Sequence, residues 1–293
     1  MFTKKYFRFT ALLLAFVMLA AMLTACGGGD TLSDGGSGIS IFQSKKIRFT
    51  SPVTQSEIDN VLSNMALMED LCKSAPQQSQ NGADATYEMV KLIAEGLGVS
   101  STEISSIEAD KTRFSASSDS AVQEQVNSTY RTVELLILIA KKLDKDGAYT
   151  STISSIRSDF SRHDSSAKSA PQQLVNGLYR CVELLEVIAK IADEDAKYSS
   201  DISYIITRMA TQDSSANSAP QQSVNGAYRC VEMTLLVAEI LDYDSQFTSD
   251  ISRVETKLST QDAAASSAPQ QNASGVYRMA EAFGVLAEVL NDK

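Results

Sequence analysis

Four polar side chains recur together along the chain, and they are its clearest chemical signal. Asn176, Tyr179, Arg180 and Glu183 return as Asn225, Tyr228, Arg229 and Glu232, as Asn127, Tyr130, Arg131 and Glu134, and as Ser274, Tyr277, Arg278 and Glu281. At the first such place only Asn81 and Glu88 remain, with Asp84 and Ala85 where Tyr and Arg would stand. Tyr brings contact area with a polar tip and Arg a planar fork of donors, so a ladder of Asn, Tyr and Arg along a groove can hold a peptide or a glycan. The same spacing has a purely structural use. Arg180 and Glu183 are three apart and can pair within one helix, and Asn176, Arg180 and Glu183 border an apolar arc that takes in Val187. A polar network between repeats and a ligand face both fit these residues.

Little else is suited to making or breaking bonds. The single histidine, His163, aligns with Met68, Phe114, Gln212 and Gln261, a position too permissive for a ligand or a base. Cys72, Cys181 and Cys230 sit on separate repeats without the spacing of a zinc site. Cys181 and Cys230 share one position of adjacent copies, and helices packed about 8–10 Å apart exceed the roughly 7 Å that a disulfide spans, so free, buried thiols are expected. The acid pairs Asp193/Asp195 and Asp242/Asp244 fall at helix ends, read as solvated loop residues, and lack the calcium-loop pattern. No phosphate-cradling Gly-rich loop and no Ser nucleophile elbow is present. The expectation is therefore no enzyme, no metal and no cofactor. Of 26 basic residues three precede residue 26, leaving 23 against 36 acids, a poor balance for binding nucleic acid.

The elements that carry the ladder are repeats. SAPQQLVNGLYRCVELLEVIAK begins at Ser169 and recurs from Ser218 and Ser267, with weaker copies from Ser120 and Ser74, at spacings of 46, 49, 49 and 49 residues. Ser-Ala-x-Gln opens all five copies, with proline inside the first turn of four, and predicts a capping box at each helix start. From there Leu174, Leu178, Cys181, Val182, Leu184, Leu185, Ile188, Ala189, Ile191 and Ala192 turn at the helical period over an arc of about 200°, wide enough for several neighbours. Ala94, Ala140, Ala189, Ala238 and Ala287 are identical in all copies, and Gly82, Gly177, Gly226 and Gly275 recur, with Ser128 in the second copy; both sets suit close helix crossings. A turn at Asn176-Gly177 would instead start the helix later. The first half of each copy carries only a narrow stripe (Ile153, Ile156, Phe160, Ala167), with Lys111 replacing the Phe160 equivalent in copy 2. Ser56, Thr102, Ser151, Ser200 and Ser249 are expected to precede these outer helices as caps. The fold class is all-α: five helix-turn-helix repeats stacked as an α-solenoid or elongated array, an architecture like that of the tetratricopeptide and HEAT proteins but without either signature. The copies span about 54–98, 99–147, 148–196, 197–245 and 246–293.

The amino-terminal residues address the chain. Lys4, Lys5 and Arg8 precede an apolar run of 13 residues from Ala11 to Leu23, followed by Leu23-Thr24-Ala25-Cys26. The run is short for a bilayer span and right for a signal-peptide core. Leu-Thr-Ala-Cys resembles the lipobox of bacterial lipoproteins. The resemblance implies a signal peptide over 1–25, cleavage before Cys26 and lipid on Cys26. A flexible tether follows to residue 38, then a short irregular or hairpin segment over 39–53. The chain is thus expected on a bacterial cell membrane or outer membrane, its repeats outside the cytoplasm. There they would offer a binding or scaffolding surface to an envelope or extracellular protein or glycan. A structural spacer without a ligand is the alternative.

Overall fold

The computed structural model describes residues 47–292. The expected signal peptide, Cys26, the tether and the first half of the irregular segment lie outside them. Ten helices follow in pairs. The outer helices are α1 (Gln55–Glu69), α3 (Ser101–Ser115), α5 (Thr150–Ser166), α7 (Ser199–Ser215) and α9 (Thr248–Ala264). The inner helices are α2 (Ala75–Gly96), α4 (Ala121–Leu143), α6 (Ala170–Ala192), α8 (Ala219–Leu241) and α10 (Ala268–Asn291), each about 34 Å long at 1.5 Å per residue. Each inner helix runs unbroken through its Asn-Gly or equivalent pair, so no turn interrupts it.

Each inner helix packs on the inner helices of both neighbouring copies, and α10 packs on α2. The array is closed rather than elongated: its fifth copy returns to its first. A glycine permits close approach at this seam as it does between copies 2 and 3 and between copies 3 and 4, although here it meets Val276 and the Tyr277 backbone and not a tyrosine ring. A Cβ on Gly177 would lie 2.8 Å from Thr129 Cγ2, one on Gly226 2.9 Å from Leu178 Cβ, and one on Gly82 2.9 Å from Val276 Cγ2. Only Gly permits that approach. Its propensity cost of up to about 1 kcal/mol is offset by backbone-close packing.

Along the axis α2 presents Ala83, Thr86 and Ile93, with Leu97 just past its end. Axial voids of about 20 Å³, lined from all five inner helices, and of about 10 Å³ are each no larger than a water molecule, as in a packed core. Cys181 and Cys230 lie in this core, free and fully buried, in the same layer as Met279. The outer helices bury two or three residues each, such as Ile153, Ile156 and Phe160 of α5. Their stability comes from that seam and not from their Ser- and Asp-rich sequence.

Helix ends depart from the expected caps. Only Ser120 accepts from its N3 amide (3.3 Å), in the one copy without proline. In all five copies the Gln reaches one residue further back, as Gln172 Oε1 does to accept from Lys168 N at 2.8 Å. The outer helices start earlier than expected, so Ser56, Thr102, Ser151, Ser200 and Ser249 lie inside the first turn. Three of these starts are held by an aspartate from the preceding inner helix: Asp144 accepts from Tyr149 N, Asp193 from Tyr198 N and Asp242 from Phe247 N. Asp193 and Asp242 are therefore buried, not solvated. Burial raises the Asp193 pKa, although the loop amides act against it.

The described part of the irregular segment, 47–53, pairs with no strand. It crosses the carboxyl ends of the inner helices: Phe49 N donates to Leu290 O, Thr50 N to Gly96 O and Arg48 Nη1 to Leu241 O. These carbonyls are the ones a helix leaves without partners at its end. Ile47 lines the larger axial void and stops it at this side.

Candidate functional site

The recurring polar residues lie where inner helix, outer helix and next copy meet. Each conserved-type Asn ties its own hairpin together: Asn81, Asn127, Asn176 and Asn225 donate through Nδ2 to Met65 O, Lys111 O, Phe160 O and Met209 O at 2.8–3.0 Å. Each Tyr ties one copy to the next. Tyr130 donates to Asp164, Tyr179 to Asp213 and Tyr228 to Asp262, and Gln173, Gln222 and Gln271 donate to the same three carboxylates. Burial, then the aspartate partner, raises the pKa of all three phenols far above 10. They do not ionise in use.

Arg and Glu pair along the helix as the spacing implies, at 2.8 Å for Arg131–Glu134, 2.9 Å for Arg180–Glu183, 3.0 Å for Arg229–Glu232 and 2.9 Å for Arg278–Glu281. Burial nevertheless raises the Glu134 and Glu183 pKa, the adjacent arginine offsetting only part. Burial likewise lowers the pKa of Arg229 and Arg278. The pairs leave capacity unused: Nε of Arg131, Arg180, Arg229 and Arg278 and Oδ1 of Asn127, Asn176 and Asn225 have no hydrogen-bond partner.

Asn176, Tyr179 and Arg180 also wall an open groove of about 300 Å³ with His163, Ser166, Ala167, Gln172 and Val175. One copy earlier a groove of about 280 Å³ repeats the arrangement with Asn127, Tyr130 and Arg131, adding Phe114, Ser117, Ser118 and Gln123, and Asp164 and Gln173 from the next hairpin. The residues read as a ligand face thus serve as network and as groove wall at once. Glu183 and Glu232 stand behind the arginines as their partners and line neither groove. Asn225, Tyr228 and Arg229 make the equivalent bonds one copy on.

Sequence reasoning missed the far wall. Asp164, Asp213 and Asp262, and Gln173, Gln222 and Gln271, recur at fixed positions as plainly as the Tyr does, and aligning the outer helices would have found them. Among the described residues no group of three His, Cys, Asp or Glu side chains is arranged to hold a metal ion. None of the described helices is long and apolar enough to cross a membrane. Compared with family models, curated proteins and solved structures, the chain matches none.

Proposed function

We propose that the chain is a lipoprotein of the bacterial envelope, anchored through Cys26, whose ring of helical hairpins is a binding surface. The carrying observation is a groove present in copies 2 and 3, with one set of Asn, Tyr and Arg walls and a rim that changes from Phe114 to His163. A fixed cradle with a varying rim is what a binding surface needs and a spacer does not. Closure of the array weighs the same way. Five open repeats would supply reach, whereas a ring is no taller than one inner helix, about 34 Å. The groove phenols are committed to aspartate partners, which supports recognition over catalysis.

The test is capture from envelope extract by the full chain and by the double variant Ser117→Trp/Ser166→Trp. Both serines are exposed and sit on the two groove rims. The expected result is a bound component retained by the natural chain and lost by the variant at unchanged melting temperature. Equal capture by both would place binding elsewhere, and no capture by either would return the spacer reading.

A further inference from the structure

The two grooves share their floor and differ at the rim. Phe114 and Ser118 of the copy 2 groove are replaced by His163 and Ala167 in the copy 3 groove. Phe114 is 42 % exposed, an unusual place for a phenylalanine, and forms an apolar wall above polar groups. Those groups mix donors and acceptors. Ser117 and Ser118 stand beside Phe114, both donating to its carbonyl and leaving hydroxyl lone pairs. Asp164 takes its bonds from Tyr130 and Gln173 on one oxygen, Oδ1. Arg131 Nε is without a partner.

From this we infer that the copy 2 groove is a subsite for one neutral hexopyranose ring of a polysaccharide, an assignment that rests on the binding reading above. A pyranose has an apolar C–H face that stacks on an aromatic ring and a rim of hydroxyls that both donate and accept. Phe114 supplies the first partner, and Asp164, Gln123 and the two serines supply the second. A volume of about 280 Å³ admits one sugar ring at the small end of the range of ligand pockets. An extended peptide finds less here. It binds best by adding to a sheet edge, and the described residues contain no strand to receive it. Anionic sugars are opposed by the excess of 36 acids over 26 bases in the whole chain. Arg113 and Arg131 lie 4.9 and 5.3 Å from the Phe114 ring centroid. Arg113 is paired with Asp110 at 2.8 Å but its side chain is 69 % accessible, and stacking of a sugar on the ring requires it to exchange that position for water.

The full chain, purified in detergent, is titrated calorimetrically with cello-, malto-, manno- and chitotetraose, with tetragalacturonate as the anionic control. One neutral tetrasaccharide is expected to bind at one site per chain, and tetragalacturonate is not. Phe114→Ala should lower that affinity about tenfold, the loss of one aromatic contact, at unchanged melting temperature. His163→Phe should install the missing wall in the copy 3 groove and raise the stoichiometry from one towards two. Absence of binding by all four neutral sugars, or binding indifferent to Phe114→Ala, overturns the assignment. If the tryptophan double variant still loses its envelope component while no sugar binds, the carbohydrate assignment alone fails. If that variant captures normally, the groove reading fails with it.

Discussion

Copies 1 and 2 meet through different chemistry from copies 2 and 3. Where copies 2 and 3 meet, the Tyr130 ring packs edge-on against Phe160 with centroids 4.6 Å apart, and Gly177 lets α6 approach that ring. At the equivalent places between copies 1 and 2 stand Asp84, Lys111 and Ser128. Asp84 pairs with Lys111 at 3.0 Å and accepts a hydrogen bond from Ser128, while the Lys111 ammonium sits 5.2 Å from the Tyr87 ring. Three positions on three helices have changed together. The glycine is therefore required by the tyrosine opposite and not by the helix that contains it. An aromatic pair and a partly buried ion pair with a hydroxyl are two solutions for one gap.

The comparison can be broken most severely at the aromatic side. Tyr130→Ala removes the ring from between Phe160 and Gly177 and leaves Asp164 short of a donor; a loss of about 3–5 kcal/mol is expected in urea unfolding. Gly177→Ser puts a side chain where Thr129 and Tyr130 already lie, 2.8 and 3.1 Å from the new Cβ, and should cost about 1–3 kcal/mol. The reverse exchange, Ser128→Gly, removes the hydroxyl that donates to Asp84 and should cost about 1–2 kcal/mol. Coupling sharpens the point: Asp84→Tyr alone should destabilise, whereas Asp84→Tyr with Lys111→Phe and Ser128→Gly should recover about 1–2 kcal/mol of that loss. Strictly additive effects in this cycle would refute the idea of linked positions.

Two smaller effects reach beyond these two junctions. Burial raises the Glu88, Glu134 and Glu183 pKa above the usual 4.5, while Glu57, bonded to Thr54, is lowered. Raised carboxyls stabilise the fold below their unfolded value and lose that contribution as pH rises through the folded one. The melting temperature should therefore climb by a few degrees from about pH 7.5 to about pH 5, and a monotonic fall would contradict it. The smallest effect concerns the hairpin links, where Gly147, Ala196 and Ser245 share a left-handed backbone with φ of 76°, 57° and 60°. Ala196→Gly should stabilise by about 0.5–1 kcal/mol, and Gly147→Ala should do the opposite.

Much of the candidate site was legible because helical neighbours are sequence neighbours. The Arg180–Glu183 pair, the buried Val187 and the apolar face of α6 follow from spacing alone. Tyr179 to Asp213 does not, because its partner belongs to the next copy and to a helix whose own pattern is weak. The caps were misread for a related reason: which oxygen an amide reaches at a helix start depends on where the chain arrives from. Asp193 illustrates this, serving a helix it is not part of.

From its sequence alone the chain determined its period, the ten helices of its repeats and the side of each that is apolar, all set by local geometry repeating every few residues. Closure was decided in three dimensions. It depends on the small rotation from each hairpin to the next, summed over five steps, and on whether the last surface fits the first. The fit was written into the ends: Gly82 in the first copy makes room for Val276 and the Tyr277 backbone of the last, and Asn81 donates to the Tyr277 hydroxyl at 2.9 Å. Neither terminal copy carries the polar outer face that an open array needs. Only the folded chain, by bringing residues nearly two hundred apart into one seam, shows why.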